Sequence, residues 1–212
     1  RFCHGPVEVF FAEVLKAMCR DAEFEHTLYM TAPAPPESTE RFRRIGATWR
    51  DAAYATDGAL LDRIREDRID ILVDLAGAGP DNRLAVFAAS AAPLQVSWLD
   101  YFCTTGLEEI DYLITDDYLA PAGSDAFYSE TLLRLTPGRL CYTPPPAPTP
   151  STEGVEARRL VCLNRFSKIN DEVAAAWSAA LLRLPGWSLR LKGTGGDDAG
   201  VANALRRRFE AH

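Results

Sequence analysis

The loop of residues 164–170 carries side chains that suit the binding of a diphosphate. Its sequence, Asn-Arg-Phe-Ser-Lys-Ile-Asn, holds two cations, Arg165 and Lys168, beside a hydroxyl and an amide. The loop follows a predicted strand and precedes a predicted helix that Asn170 is expected to cap. A helix N-terminus attracts anions, so an arginine and a lysine beside it favour a diphosphate site. From these residues alone, a solvated loop with incidental charge is an equally good interpretation.

His4 and the loop of residues 100–106 are the other candidates for chemistry. His4 lies directly ahead of the first predicted helix, where a histidine could act as acid, base or hydrogen-bond donor. A helix-start residue that bonds the backbone is the commoner role for such a histidine. The second loop ends in Thr104-Thr105-Gly106, which could offer hydroxyls and backbone N–H groups to a polyol or phosphate. An ordinary turn between strands is the alternative.

Two further features are rejected as candidate chemical sites. Cys103 has no basic neighbour in sequence that would activate it as a nucleophile. The segment Gly193–Gly196 lacks the spacing of a phosphate-binding loop and is followed by two aspartates, which would repel a phosphate. It is interpreted as a turn.

Alternating helical and extended patterns predict the elements that must position these loops. They are typical of an α/β fold with a mainly parallel sheet, in which ligands bind beyond the carboxyl ends of the strands. Residues 32–40, rich in Pro, Ser and Glu, predict an exposed loop, and residues 69–75 a strand buried on both faces. Helices are predicted over 7–19, 57–65 (capped by Thr56), 83–89, 171–183 and 199–209, and the other strands over 27–30, 94–99, 112–115, 131–135, 160–163 and 188–192.

The proline-rich segment of residues 143–150 is the predicted domain boundary, because proline supports neither helix nor strand hydrogen bonds. It predicts a nearly complete Rossmann-like lobe over 1–142, a linker over 143–150 and the start of a second lobe over 151–212.

Composition excludes several classes of protein. The 212 residues are 47% hydrophobic and 25% charged, which is typical of a globular protein rather than a disordered or fibrous one. The net charge of −7 argues against nucleic acid as a partner, and no apolar run approaches the roughly 20 residues that span a bilayer. Five scattered cysteines without a Cys-x-x-Cys pair indicate neither a zinc site nor a disulfide framework and favour the cytoplasm.

Several stretches, taken together and in order, resemble the nucleocytoplasmic protein O-GlcNAc transferases, including their bacterial and SPINDLY-type relatives. The resemblance covers nearly the whole chain, and the ordered set is far more specific than any single stretch. The stretches are residues 69–77 (IDILVDLAG), 82–87 (NRLAVF), 92–99 (APLQVSWL), 104–106 (TTG), 111–116 (DYLITD), 128–130 (YSE) and 164–169 (NRFSKI).

The resemblance implies a fold and a reaction. The fold is the GT-B glycosyltransferase arrangement of two Rossmann-like lobes with the sugar nucleotide between them. The reaction is an inverting transfer that needs neither metal nor cofactor, in which a Ser or Thr hydroxyl of an acceptor protein attacks the anomeric carbon of UDP-GlcNAc and UDP leaves. A tetratricopeptide array usually precedes this region. The chain is expected to be a piece of a longer protein and to be inactive alone, since the rest of the donor site would lie beyond His212.

Individual roles follow from the same resemblance. His4 corresponds to the active-site histidine, either as a base or by positioning the substrates. Lys168 corresponds to the lysine that contacts the departing diphosphate, and Arg165 to a position that contacts the nucleotide. The remaining donor-binding residues are expected to be Asn164, Asp100, Thr104 and Thr105.

Departures from the family pattern leave alternatives open. Asp100 stands in place of a glycine near the sugar, Phe102 and Cys103 in place of Pro and Gly, and Ala78-Gly79 in place of His-Thr. One alternative is a related transferase that uses another nucleotide sugar, such as GDP-fucose or a donor for flagellin. The other is a non-catalytic module that binds a sugar nucleotide or a protein partner.

Overall fold

The computed structural model describes residues 5–79, 82–144, 149 and 158–212, with the side chains of Gly5 and Pro6 excepted. The chain divides into two compact units, residues 1–147 and 148–212, which are treated separately below. Much of the predicted linker lies outside the described residues, so the exact predicted domain boundaries stay a prediction.

The first unit alternates helices with parallel strands. Strands β1 and β2 pair in parallel, with Leu28 opposite Trp49, and strands β3 to β6 form a four-stranded parallel sheet in chain order. The elements are α1 (Gly5–Met18), β1 (Thr27–Met30), α2 (Pro36–Arg43), β2 (Thr48–Asp51), α3 (Asp57–Glu66), β3 (Ile71–Asp74), α4 (Leu84–Ala88), β4 (Leu94–Ser97), β5 (Tyr112–Thr115) and β6 (Thr131–Arg134).

The two larger of three apolar clusters form most of the described core of this unit. One contains Phe11, Phe42 and Trp98, with residues of α1 and β1, and the other is built mainly from α3 and α4. Alternate residues of β1 point to opposite faces of the strand. Because Leu28 belongs to the first cluster and Tyr29 packs against the second, the two clusters lie on opposite faces of β1.

Most predicted elements of this unit are confirmed to within about two residues, but two predictions are wrong. Residues 36–40 belong to α2 rather than to a loop: Pro36 fits the first helical turn, and Phe42 is fully buried. The predicted strand 69–75 is not buried on both faces, since Ile71 and Val73 are 47% and 42% exposed. Strand β2 was not predicted at all.

The second unit contains two parallel strands and two helices. Strand β7 (Arg159–Cys162) pairs with β8 (Ser188–Leu191), and the helices are α5 (Asp171–Leu182) and α6 (Ala199–Glu210). Trp177 of α5 stacks on Phe209 of α6 with ring centroids 6.5 Å apart. All four elements agree with the sequence prediction to within about one residue.

Candidate active site

The loop that carries Arg165 and Lys168 leads from β7 to α5, as predicted. A short 3-10 helix, Phe166–Lys168, brings the chain to Asn170, whose side-chain oxygen accepts a hydrogen bond from the Val173 N–H at 2.9 Å. This contact confirms Asn170 as the N-cap of α5. A capped helix of 12 residues leaves other N–H groups of its first turn for an anion.

The side chains of Asn164, Arg165, Ser167 and Lys168 are all exposed. Within the part of the chain that the structure describes, neither Arg165 nor Lys168 makes a side-chain hydrogen bond or ion pair. Asp171, in the first turn of α5, is the carboxylate that follows this loop in the sequence. It pairs with Arg208 Nε at 2.7 Å rather than with either of these cations. The two cations are therefore available to an external anion.

The glycine-rich turn after β8 contacts this loop. A Cβ atom added at Gly193 would lie 3.1 Å from the Asn164 carbonyl oxygen and 3.2 Å from the Phe166 ring. Its interpretation as a turn is confirmed by the 3.1 Å hydrogen bond from the Gly196 N–H to the Gly193 oxygen. Sequence reasoning missed the contact between the two loops. It follows from the parallel pairing of β7 and β8, which brings their carboxyl ends to one edge.

In the first unit, Asp74 shapes the loop after β3. Its buried carboxylate accepts hydrogen bonds from the N–H groups of Ala76 at 3.0 Å and Gly77 at 2.6 Å. Burial raises the pKa of Asp74, the two hydrogen bonds oppose that rise, and the neighbouring charge of Asp100 adds to it. The charge of Asp100, in the loop after β4, thus acts on the Asp74 carboxyl at the end of β3.

The predicted donor-binding residues Thr104 and Thr105 are bound within the protein to Glu130. The Glu130 carboxylate accepts from Thr104 Oγ1 at 2.9 Å, from the Thr105 N–H at 2.7 Å and from Thr105 Oγ1 at 2.5 Å. Glu130 is only 4% exposed. These bonds fix the shape of the loop, and contact of the two threonines with a donor stays a prediction.

Replacing Glu130 with glutamine is expected to lower the free energy of unfolding at neutral pH by about 1–3 kcal/mol, because hydrogen bonds to a charged acceptor are lost. Burial raises the pKa of Glu130, but the hydrogen bonds from Thr105 and Thr104 together lower it by more than burial raises it. The pKa of Glu130 therefore lies below its ordinary value of 4.5. Wild-type stability from this group is complete above pH 4.5 and is lost as the pH falls through the depressed folded-state pKa.

Thermal unfolding between pH 3 and 7 would measure this difference. Glu108→Gln is the control, because it removes the same charge from an exposed residue beside the loop. If Glu130→Gln and Glu108→Gln gave the same pH profile as the wild type, the assigned role of Glu130 would be wrong.

A further buried pair, Asp116 and Arg139, lies beyond β5 and β6 and was not predicted. The Asp116 carboxylate accepts N–H bonds from Arg139, Leu119 and Tyr118, and these bonds lower its pKa despite its burial. Aspartates at the ends of predicted strands are a sequence signal that could have indicated Asp74 and Asp116. Arg139 carries no such signal, since Pro-Gly-Arg is typical of an exposed turn.

The remaining predicted residues are only partly described. Asp100 lies exposed in the loop after β4. His4 lies outside the described residues, and its catalytic role stays a prediction. Over the described ranges, no group of three or more His, Cys, Asp and Glu side chains is arranged to hold a metal ion. No helix there is long and apolar enough to cross a membrane.

Comparison with known proteins identifies relatives of this chain. A family model described as glycosyl transferase family 41 matches residues 49–138. The "Probable UDP-N-acetylglucosamine--peptide N-acetylglucosaminyltransferase SPINDLY" of Petunia hybrida is 33% identical over 83% of this chain, and the protein of that name from Arabidopsis thaliana is 33% identical over 80%. In each case the match spans 20% of the relative, so this chain covers about a fifth of their length.

A solved structure agrees with these relatives. A lysine-to-methionine mutant of the Thermobaculum terrenum O-GlcNAc transferase matches the whole chain with 38% identity and a TM-score of 0.89, over 40% of its own length. This likeness confirms the predicted α/β fold class of GT-B type. The resemblance seen in the sequence motifs is confirmed as well: the chain belongs to glycosyl transferase family 41, the family of the protein O-GlcNAc transferases.

Proposed function

We propose that the protein transfers N-acetylglucosamine from UDP-GlcNAc to Ser or Thr hydroxyls of acceptor proteins. The observation that carries this proposal is the exposed position of Arg165 and Lys168 beside the capped N-terminus of α5, where neither forms an ion pair with another described residue. Family membership supplies the reaction class, and the names of the relatives include both the UDP-sugar and the peptide acceptor.

In the proposed reaction the hydroxyl oxygen of the acceptor forms a bond to the anomeric carbon, and the bond from that carbon to the UDP oxygen breaks. The hydroxyl proton passes to a base, and negative charge grows on the departing diphosphate. Lys168, Arg165 and the first-turn N–H groups of α5 would stabilise that charge. Donors that are already oriented toward the growing charge need no reorganisation during the step, which is why such groups lower the barrier.

The side chains of the first unit have a different part in this proposal. The Asp100 carboxylate can accept hydrogen bonds from sugar hydroxyls, since an ionised carboxylate acts only as an acceptor. His4 would either take the hydroxyl proton or position the substrates, as the family resemblance implies. Independence from metal, the cytoplasmic location and the exclusion of nucleic acid remain predictions from the sequence.

A donor panel would test the proposal. The natively expressed protein is incubated with an acceptor protein and labelled UDP-GlcNAc, UDP-glucose, UDP-galactose or GDP-fucose. Preferential transfer from UDP-GlcNAc, in a linkage to Ser or Thr that alkali eliminates, is expected. Transfer from GDP-fucose alone would show that UDP-GlcNAc is not the donor. If UDP binds in calorimetry but no sugar is transferred, the protein is a binding module and the proposed activity is refuted.

A further inference from the structure

Arg139 is a buried arginine that joins the segment after β6 to the end of β4. It is only 8% exposed, and its Nη1 donates to the Leu99 carbonyl oxygen at 2.7 Å. Its own backbone oxygen accepts from the indole N–H of Trp98 at 3.0 Å. Its backbone N–H donates to Asp116, so one residue connects the segments that follow three strands.

Leu99 is the point where the loop leaves β4, and its backbone is strained. Its φ is +92°, a left-handed conformation that residues other than glycine rarely adopt. Such a conformation is unfavourable for a residue with a side chain and persists only where the surroundings hold it. Leu99 is only 3% exposed and belongs to the first core cluster, and Arg139 donates to its carbonyl oxygen.

The strained residue directly precedes Asp100. A turn of the backbone at Leu99 changes the direction of the next side chain and of the whole segment that leads to Thr104 and Thr105. We infer that Arg139 is a positioning residue, which holds Leu99 in its left-handed conformation and so directs Asp100 toward the carboxyl edge of the sheet. The consequence for sugar transfer rests on the proposed function.

Arg139 keeps a cation buried at this position. Burial lowers the pKa of Arg139, and the charges of Asp116 and Asp100 only partly offset this effect. Replacing a whole buried ion pair with apolar residues is often neutral or stabilising, whereas removing one charged partner is typically destabilising. The hydrogen bond from Arg139 Nη1 to the Leu99 carbonyl oxygen is the contact through which this cation acts on the loop.

Arg139→Met and Arg139→Lys test the inference in the natively expressed protein. The matched control is Arg134→Met, because Arg134 also donates to a backbone carbonyl, that of Ala120 at 2.8 Å, and pairs with Asp125. Among the described residues, it makes no hydrogen bond or ion pair with the loop after β4. Hydrogen exchange is followed by mass spectrometry in peptides that cover residues 98–107 and, separately, strands β3 to β6.

We expect Arg139→Met to speed exchange in residues 98–107 at least about tenfold while the strands stay protected. The kcat/KM for transfer should fall by at least about tenfold, with partial recovery in Arg139→Lys and no such fall in Arg134→Met. Unchanged exchange in residues 98–107, or an equal rise in all strands, would overturn the positioning role. If the wild type transfers no sugar, the exchange data still decide this inference, and only the proposed function fails.

Discussion

Replacing Lys168 with alanine is expected to reduce the rate of sugar transfer by about 100- to 1000-fold, because a preorganised charge that stabilises the transition state is typically worth that much. Lys168 is exposed and, in the described part of the chain, makes no side-chain ion pair or hydrogen bond. Its removal should therefore leave the fold intact. Single-turnover rates with labelled UDP-GlcNAc would measure the loss directly.

Arg183→Ala is the matched control for this variant. Arg183 is a cation at the C-cap of the same helix, and about 12 residues of helix, roughly 18 Å, separate it from Lys168. We expect Arg183→Ala to transfer sugar at nearly the wild-type rate. Equal activity of Lys168→Ala and the wild type would remove Lys168 from the proposed mechanism, whereas a similar loss in both variants would indicate only a general effect of charge.

Gly77→Ala is expected to lower the free energy of unfolding by about 3 kcal/mol or more, because a steric clash adds to backbone strain. The φ of Gly77 is +53°, and a Cβ atom there would lie 2.1 Å from the Cβ of Tyr101. That atom is attached directly to the backbone and cannot swing away as the end of a flexible side chain could. The loops after β3 and β4 would have to separate.

Urea denaturation of Gly77→Ala would give this difference, with Gly58→Ala as the control. Gly58 lies in the first turn of α3 with nothing within 4 Å of an added Cβ, so its replacement should stabilise the protein by about 0.5 kcal/mol. Tyr101→Ala should not rescue Gly77→Ala, since it keeps the Cβ. A Gly77→Ala variant as stable as the wild type would contradict the close approach of the two loops.

The regular elements could be predicted where local chemistry agrees with the final structure. Thr56 and Asn170 were predicted as caps, and each side chain accepts the expected N–H bond. Helix α2 was missed because a segment rich in proline and serine is typical of a loop. What makes it a helix is the burial of Phe42 among residues of α1 and β1, a contact that sequence does not reveal.

The residues of the candidate site also divide into those that local sequence predicts and those that it does not. Arg165 and Lys168 were found because their environment, the start of a capped helix, is local in sequence. Glu130 and Arg139 could not be assigned from spacing, since their partners lie 25 and 40 residues away. The hydroxyls of Thr104 and Thr105 were predicted to face a ligand, yet only the folded chain shows that Glu130 already occupies them.

The carboxylates of Asp74, Asp116 and Glu130 each hold backbone N–H groups at the base of a loop. Because each loop is held at its base, residues at its tip need not stabilise the loop. Mutations at a tip, as at the exposed Phe102, can then accumulate at little cost to folding. Such an arrangement lets loop tips change on an unchanged scaffold, which is consistent with a chain that keeps its family's framework while its loop after β4 departs from the family pattern.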